Sequence, residues 1–264
     1  MTPPHEHPVI TPTKDGSTTL YSPRFRQHYH NPNGAVAESR HVFFETSGLP
    51  DAISRNESLA VFETGFGTGL NLLLLHEYLH QSDKKIRATY YSVEAFPVDA
   101  ATASQFDFGD NPFLNRSIPA LADIFEQLKP GLNTFDISER LTLHLFAGFF
   151  DDFFEGDFIS EKVDFIFHDP FSPEANPGLW TPEVFKKLAS VTNQNTVLST
   201  YCAATSARAA MAVAGWYVAR APGALGKREM TVASLNPLIL QSFKRVNEKR
   251  LAERYKSADF KIDK

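Results

Sequence analysis

The sequence predicts a doubly wound α/β fold: a seven-stranded, mostly parallel sheet with an antiparallel last strand, helices on both faces and an amino-terminal cap. Three observations carry this. A short apolar run, Leu59 to Phe62, passes through ETGFGTGLN (Glu63 to Asn71) into a leucine-dense segment, giving the order strand, glycine turn, helix. Strand-like and helix-like segments then alternate, as parallel strands joined by helical crossovers require. Between the last two strand-like runs, Pro222 to Lys227 is too short for a helical crossover, so that pair is antiparallel.

Residues 1–14, rich in proline and histidine, read as a disordered tail, with His5 and His7 part of it rather than metal ligands. Residues 15–55 form the cap: a strand near Thr18 to Tyr21, a proline-asparagine-glycine turn and a helix from Ala35. The main domain spans 56–234. Its helix covers Leu70 to Tyr78, and its second strand, Ala88 to Glu94, has aromatic and β-branched bias and ends on an acid. Two helices follow, near Val98 to Phe106 and Pro119 to Leu128. The third strand is Leu141 to Phe146. The near-continuous apolar run Val163 to Asp169 marks the fourth, central strand. A helix begun by Thr181 and Pro182, a fifth strand (Thr196 to Cys202), an alanine-rich helix (Ala203 to Ala214) and strands at Trp216 to Arg220 and Glu229 to Ser234 complete the domain. Residues 235–264 read as a basic carboxyl-terminal tail or helix.

The formal charge of -5 excludes a protein that coats nucleic acid nonspecifically, yet leaves room for a local basic face. Positive residues gather at Arg24, Arg26 and Arg40, at Arg220, Lys227 and Arg228, and again from Lys244 to Lys256, where Glu248 and Glu253 make a solvated helix face the plain reading. No apolar run reaches the roughly 18 residues of a membrane span, and no secretory signal opens the chain. Cys202 is the single cysteine, which excludes an intramolecular disulfide, disfavours a thiolate zinc site and fits a cytoplasmic protein.

The glycine turn selects among nucleotide-type cofactors. A dinucleotide turn needs G-x-G-x-x-G, and the sequence has Leu70 where the third glycine would stand. A P-loop is excluded because no G-K-[ST] follows. The pattern E-x-G-x-G-x-G, an acid ending the second strand and an antiparallel last strand together resemble the Rossmann-like class I S-adenosylmethionine methyltransferases. That resemblance implies S-adenosyl-L-methionine as cofactor, with Glu63 near its methionine portion, Gly65, Gly67 and Gly69 allowing close backbone approach, Glu94 on the ribose and Asp151, in preference to Asp152, on the adenine. No metal is required.

Further motifs narrow the resemblance. DGSTTLYSPRF, ESRHVFFETSGLP, HDPFSPEANPGLWTPEVF, LSTYCAATSARAAMAVAGW and GKREM stand in the order found in the methyltransferase domain of the MnmC family, over about residues 13 to 234. The resemblance implies methylation of the exocyclic amine of 5-aminomethyl-2-thiouridine at tRNA wobble position 34. It implies Asp169 as an acceptor that orients the amine and relays its proton, although an ordinary aspartate, titrating near about 3.9, is a poor base for this. Phe171, Trp180 and Tyr201 are then candidates to stack on the base, and Arg208, Lys227 and Arg228 to meet tRNA phosphates. Two departures stand out: the family's Asp-Gly-Phe is Asp169, Pro170, Phe171 here, and its paired arginines are Ala207 and Arg208. Because the sequence ends at Lys264, the expectation is the methyltransferase half alone, without flavin, working with a separate FAD-dependent oxidase or the enzyme that makes the aminomethyl precursor. The competing readings are a small-molecule amine methyltransferase or aminopropyltransferase, and a non-catalytic RNA partner module.

Overall fold

The computed structural model describes residues 7–257. A small antiparallel sheet of β1 (Val9–Pro12), β2 (Thr18–Ser22) and β3 (Gln27–His28) is followed by α1 (Ala35–Ser39), a π-helical turn (Arg40–Glu45) and α2 (Leu49–Arg55). The main domain runs β4 (Ser58–Thr64), α3 (Leu70–Gln81), β5 (Arg87–Glu94), α4 (Ala100–Ala103), α5 (Pro112–Gln127), β6 (Gly131–Ser138), β7 (Leu141–Ala147), α6 (Phe150–Glu155) and β8 (Val163–His168). It continues through a 3-10 turn (Pro177–Trp180), α7 (Pro182–Ser190), β9 (Thr192–Thr200), α8 (Thr205–Val213), β10 (Tyr217–Pro222), β11 (Glu229–Ser234), β12 (Lys244–Arg245) and α9 (Glu248–Lys256).

The main sheet has nine strands in the order β12-β10-β11-β9-β8-β4-β5-β7-β6. The pairs β4/β5, β4/β8, β5/β7 and β8/β9 are parallel, while β11 lies antiparallel between β9 and β10, as the short connection required. The expected seven strands are all present, and β6 and β12 extend the two edges. β6 escapes a sequence reading because its Gly, Asn, Asp and Ser residues carry turn chemistry, while its half-exposed edge position needs only alternation.

Helix α3 explains the cap. Leu70, Leu72, Leu73, Leu74 and Leu75 are all buried, so the helix is apolar around most of its circumference and needs cover on its outer side as well as from the sheet. α1, α2 and α5 supply that cover. Each leucine so enclosed contributes about 1.5–3 kcal/mol of burial free energy.

Two expectations need correction. Val9–Pro12 is a strand paired with Thr18–Tyr21, because alternate main-chain groups find partners on β2; residues 1–6 of the expected tail, His5 included, lie outside the described residues. The second helix of the long crossover starts at Pro112 rather than Pro119, since the Asn111 side chain accepts from the Phe113 and Leu114 amides and Pro112 takes the first helical position. Pro119 lies inside that helix.

Candidate active site

The sheet's strand order reverses between β4 and β8, the place where open α/β sheets receive ligands. Loops leaving β4, β5, β7 and β8 enclose a cavity of about 820 Å³ there, roofed by the segment Arg24 to Pro32 of the cap.

Its floor is the glycine turn. Gly65, Gly67 and Gly69 all have positive φ. At Gly65 a side chain would also meet the Asp169 carbonyl, since its Cβ would lie 3.1 Å from that oxygen; at Gly69 a Cβ would come within 2.6 Å of Leu121. The turn is fastened by Glu94, whose Oε2 accepts from the Gly67 amide at 2.9 Å and whose Oε1 accepts from the Phe96 amide at 2.8 Å. Burial raises the Glu94 carboxyl, against the lowering effect of those amides.

Glu63 sits one layer lower. It is 1% exposed and does not line the cavity; its Oε1 accepts from Asn71 Nδ2 at 2.9 Å and its Oε2 from Ser92 Oγ at 3.0 Å. With its amide nitrogen committed to Glu63, Asn71 faces the cavity with a buried Oδ1 that has no hydrogen-bond partner. Burial pushes Glu63 up to about 8, against hydrogen bonds from Asn71 and Ser92.

Asp169 follows β8, its amide donating to the Thr64 carbonyl at 3.1 Å. Burial holds its carboxyl well above the usual carboxylate range, reinforced by Glu63 and Glu38 and opposed by Lys227 and Asn71. The folded environment, invisible in the local sequence, thus sets Asp169 apart from an ordinary aspartate. Beside it, Lys227 Nζ lies 2.7 Å from Glu38 Oε1 and 5.0 Å from the centre of the Tyr201 ring. Glu38 also accepts from the Asn31 amide at 2.7 Å, and the Tyr201 hydroxyl donates to the Pro170 carbonyl at 2.8 Å.

The remaining expected residues divide. Phe171 lines the cavity, but its ring is stacked on Phe25 at 4.3 Å. Trp180 is buried with its indole N–H donated to the Phe171 carbonyl, so it braces the loop instead of offering a stacking face. Asp151 stands at the rim with its side chain 72% exposed, and its Oδ1 accepts from Lys187 Nζ at 2.9 Å, away from the cavity. Arg208 is 4% exposed and bound to Glu229, Thr231 Oγ1 and the Met230 carbonyl; a guanidinium so enclosed is unable to meet a phosphate. Lys227 is at the cavity edge, and Arg228 is exposed. Sequence reasoning passed over Asn71, Glu38 and Tyr29, though the first two lie inside motifs it singled out; the Tyr29 ring closes over Gly67, 3.2 Å from where a Cβ would be.

S-adenosyl-L-methionine fits these residues. An unpartnered amide oxygen backed by an acid suits an ammonium group, the glycine turn leaves open the space that side chains would fill, and Glu94 keeps acceptor capacity for hydroxyls. Among the described residues no cluster of His, Cys, Asp and Glu could hold a metal.

Comparison with known proteins agrees with this geometry. Residues 115–236 match a family described as S-adenosyl-L-methionine-dependent methyltransferase. Over that stretch the chain is similar to the S-adenosyl-L-methionine-dependent methyltransferases. Within that class its similarity is to MnmC proteins. It is 34% identical over 236 residues to the tRNA 5-methylaminomethyl-2-thiouridine biosynthesis bifunctional protein MnmC of Ralstonia nicotianae, covering 86% of this chain and 34% of that protein. It is also 34% identical over 221 residues to that of Delftia acidovorans, covering 83% and 34%. The chain thus spans about a third of the length of these relatives. The crystal structure of MNMC2 from Aquifex aeolicus superposes with a TM-score of 0.74 at 25% identity, over 96% of this chain and 77% of that one.

Proposed function

We propose that this chain methylates the exocyclic amine of 5-aminomethyl-(2-thio)uridine at tRNA wobble position 34, giving the 5-methylaminomethyl form. The observation that carries the reading is the buried Asp169 carboxyl at the end of the central strand, facing the same cavity as the glycine turn and Glu94. The relatives' names supply the nucleoside.

The cofactor supplies an electrophilic methyl group on a sulfonium. Asn71 Oδ1 would accept from its ammonium, with Glu63 holding the amide in that orientation, the glycine turn would leave room for it, and Glu94 would accept from ribose hydroxyls. Asp151 remains the adenine candidate only if its side chain leaves Lys187. Asp169, in its ionised form, accepts from the substrate amine, orients the lone pair and relays the proton; the groups that raise its carboxyl strengthen its hold on that proton. Lys227 keeps Glu38 from adding a second uncompensated negative charge beside Asp169. Holding the two reactants at near-attack distance supplies several kcal/mol, about 7–11 at best.

Under this reading, the cap (15–55) and main domain (56–234) form one catalytic unit that works in the cytoplasm. An oxidase or the enzyme producing the aminomethyl precursor supplies its substrate. Among the described residues no helix is long and apolar enough to cross a membrane. The deciding experiment incubates the protein with labelled S-adenosyl-L-methionine and tRNA lacking the final methyl, followed by nucleoside mass spectrometry. Label in 5-methylaminomethyl uridine is expected; label only in small amines would replace tRNA with a small-molecule substrate.

A further inference from the structure

The cavity is acidic within and basic at one edge of its mouth. Glu38, Glu94 and Asp169 line it, and Lys227 is already paired with Glu38. The interior therefore offers a polyanion no unpaired cation, and an RNA target enters as a base while its phosphates stay at the rim. Arg208 is enclosed, and Arg40 is ion-paired with Glu77. Arg24 and Arg26, by contrast, are exposed at the cavity mouth, and among the described residues neither guanidinium has an ion-pair partner.

The segment holding them is built rather than loose. Ser22 Oγ accepts from the Phe25 amide at 3.3 Å, and Phe25 stacks on Phe171 of the loop after Asp169. Gln27 fastens to that same loop twice: its Nε2 donates to Ser172 Oγ at 2.6 Å, and its Oε1 accepts from the Ser172 amide at 3.2 Å. Arg26, between the two ties, has a φ of 53°, a left-handed conformation uncommon for residues other than glycine. Arg24 lies over the Phe96 ring at 3.9 Å from its centre, which fixes the guanidinium without neutralising it. The segment that carries these two positive charges is thus tied to the catalytic loop on either side of Arg26, and Arg24 is further held by Phe96.

We propose that the Ser22–Gln27 segment is an RNA clamp in which Arg24 and Arg26 contact the phosphates flanking the nucleotide whose base enters the cavity. The proposal rests on the tRNA reading above and assigns the substrate contact to the cap, a region outside the methyltransferase core. Lys227 then serves the cavity's internal charge balance rather than the backbone of the RNA.

The test compares wild type with the double variant Arg24→Glu/Arg26→Glu, using an anticodon stem-loop RNA that carries 5-aminomethyluridine and, separately, the free nucleoside. Calorimetric cofactor affinity checks that the variant is folded. Expected results are a KM for the stem-loop raised at least tenfold, a salt dependence of log affinity shallower by about 1.4 (two single-strand contacts), and unchanged KM for the nucleoside. The milder pair Arg24→Gln/Arg26→Gln should show the same pattern to a smaller degree. If wild type methylates the stem-loop and both variants match it in KM and salt response, the clamp is overturned while the tRNA reading stands. If wild type methylates the nucleoside but never the RNA, the tRNA reading fails and the clamp with it. A loss of nucleoside activity as large as that on RNA would instead make these arginines part of the cavity's folding.

Discussion

The two halves of the cavity are held by different means. On the cofactor side, one strand end, one turn and one acid close on each other through local bonds: Glu94 fastens Gly67 and Phe96, and Asn71 reaches Glu63 eight residues back. On the acceptor side, Asp169 takes its character from burial and from groups far away in sequence, Glu63, Glu38 and Lys227, and its loop is stacked on Phe25 and tied to Gln27. A site assembled locally tolerates change at a distance. One assembled from both ends of the chain does not.

Four expected outcomes test this division, and the largest comes from Asp169. Replacing it with Asn should reduce turnover by about 10²–10⁴-fold, the span typical of a lost acid-base group, with cofactor affinity within a few-fold of wild type. A matching fall in cofactor affinity would show that the halves are not separable. Next, Glu94→Ala should weaken cofactor binding by roughly 10- to 100-fold, from loss of charge-assisted hydrogen bonds worth about 1.5–3 kcal/mol and of the fastening of the turn. Isothermal titration that finds unchanged affinity would remove Glu94 from the cofactor half. Arg208→Ala should lower the melting temperature, costing about 2 kcal/mol through its hydrogen bonds to Glu229, Thr231 and Met230, and leave the KM for tRNA alone. A raised KM with normal stability would restore it as an RNA contact.

The smallest effect is a proton. Burial raises Glu63 to about 8, so the unliganded protein holds it protonated at pH 7, and its contribution to stability, complete below the ordinary carboxylate pKa, fades as pH rises through about 8. A cationic ligand near Asn71 reverses the preference and drives the proton off. Cofactor binding at pH 7 should therefore release up to about one proton, read as a dependence of binding enthalpy on buffer ionisation enthalpy that disappears near pH 9. No buffer dependence at pH 7 would mean that Glu63 is insensitive to the ligand.

The same division decides what the sequence could reveal. The glycine turn, Glu94, the central apolar strand and the antiparallel last pair follow from spacing and from one short connection, and each lies within a single stretch of chain. Asp169 was visible as an acid after that strand, but its basicity depends on partners more than fifty residues away in either direction. Arg208 and Trp180 have the residue types that RNA recognition uses. Their burial, set by packing between β11 and α8 for one and between β8 and α7 for the other, has no signature in their immediate neighbours. Asn71 was overlooked because its importance comes from orientation: one end of its amide is used by Glu63 and the other is left over.

The position of β11 has a consequence for how the protein comes into being. It is made after both of its neighbours, β9 and β10, yet must lie between them. A growing chain cannot close this sheet until Ser234 has left the ribosome, and the loop just before β11 brings in Lys227, the cation beside Asp169. The glycine turn is complete some 160 residues earlier in synthesis, long before there is a finished acceptor pocket opposite it.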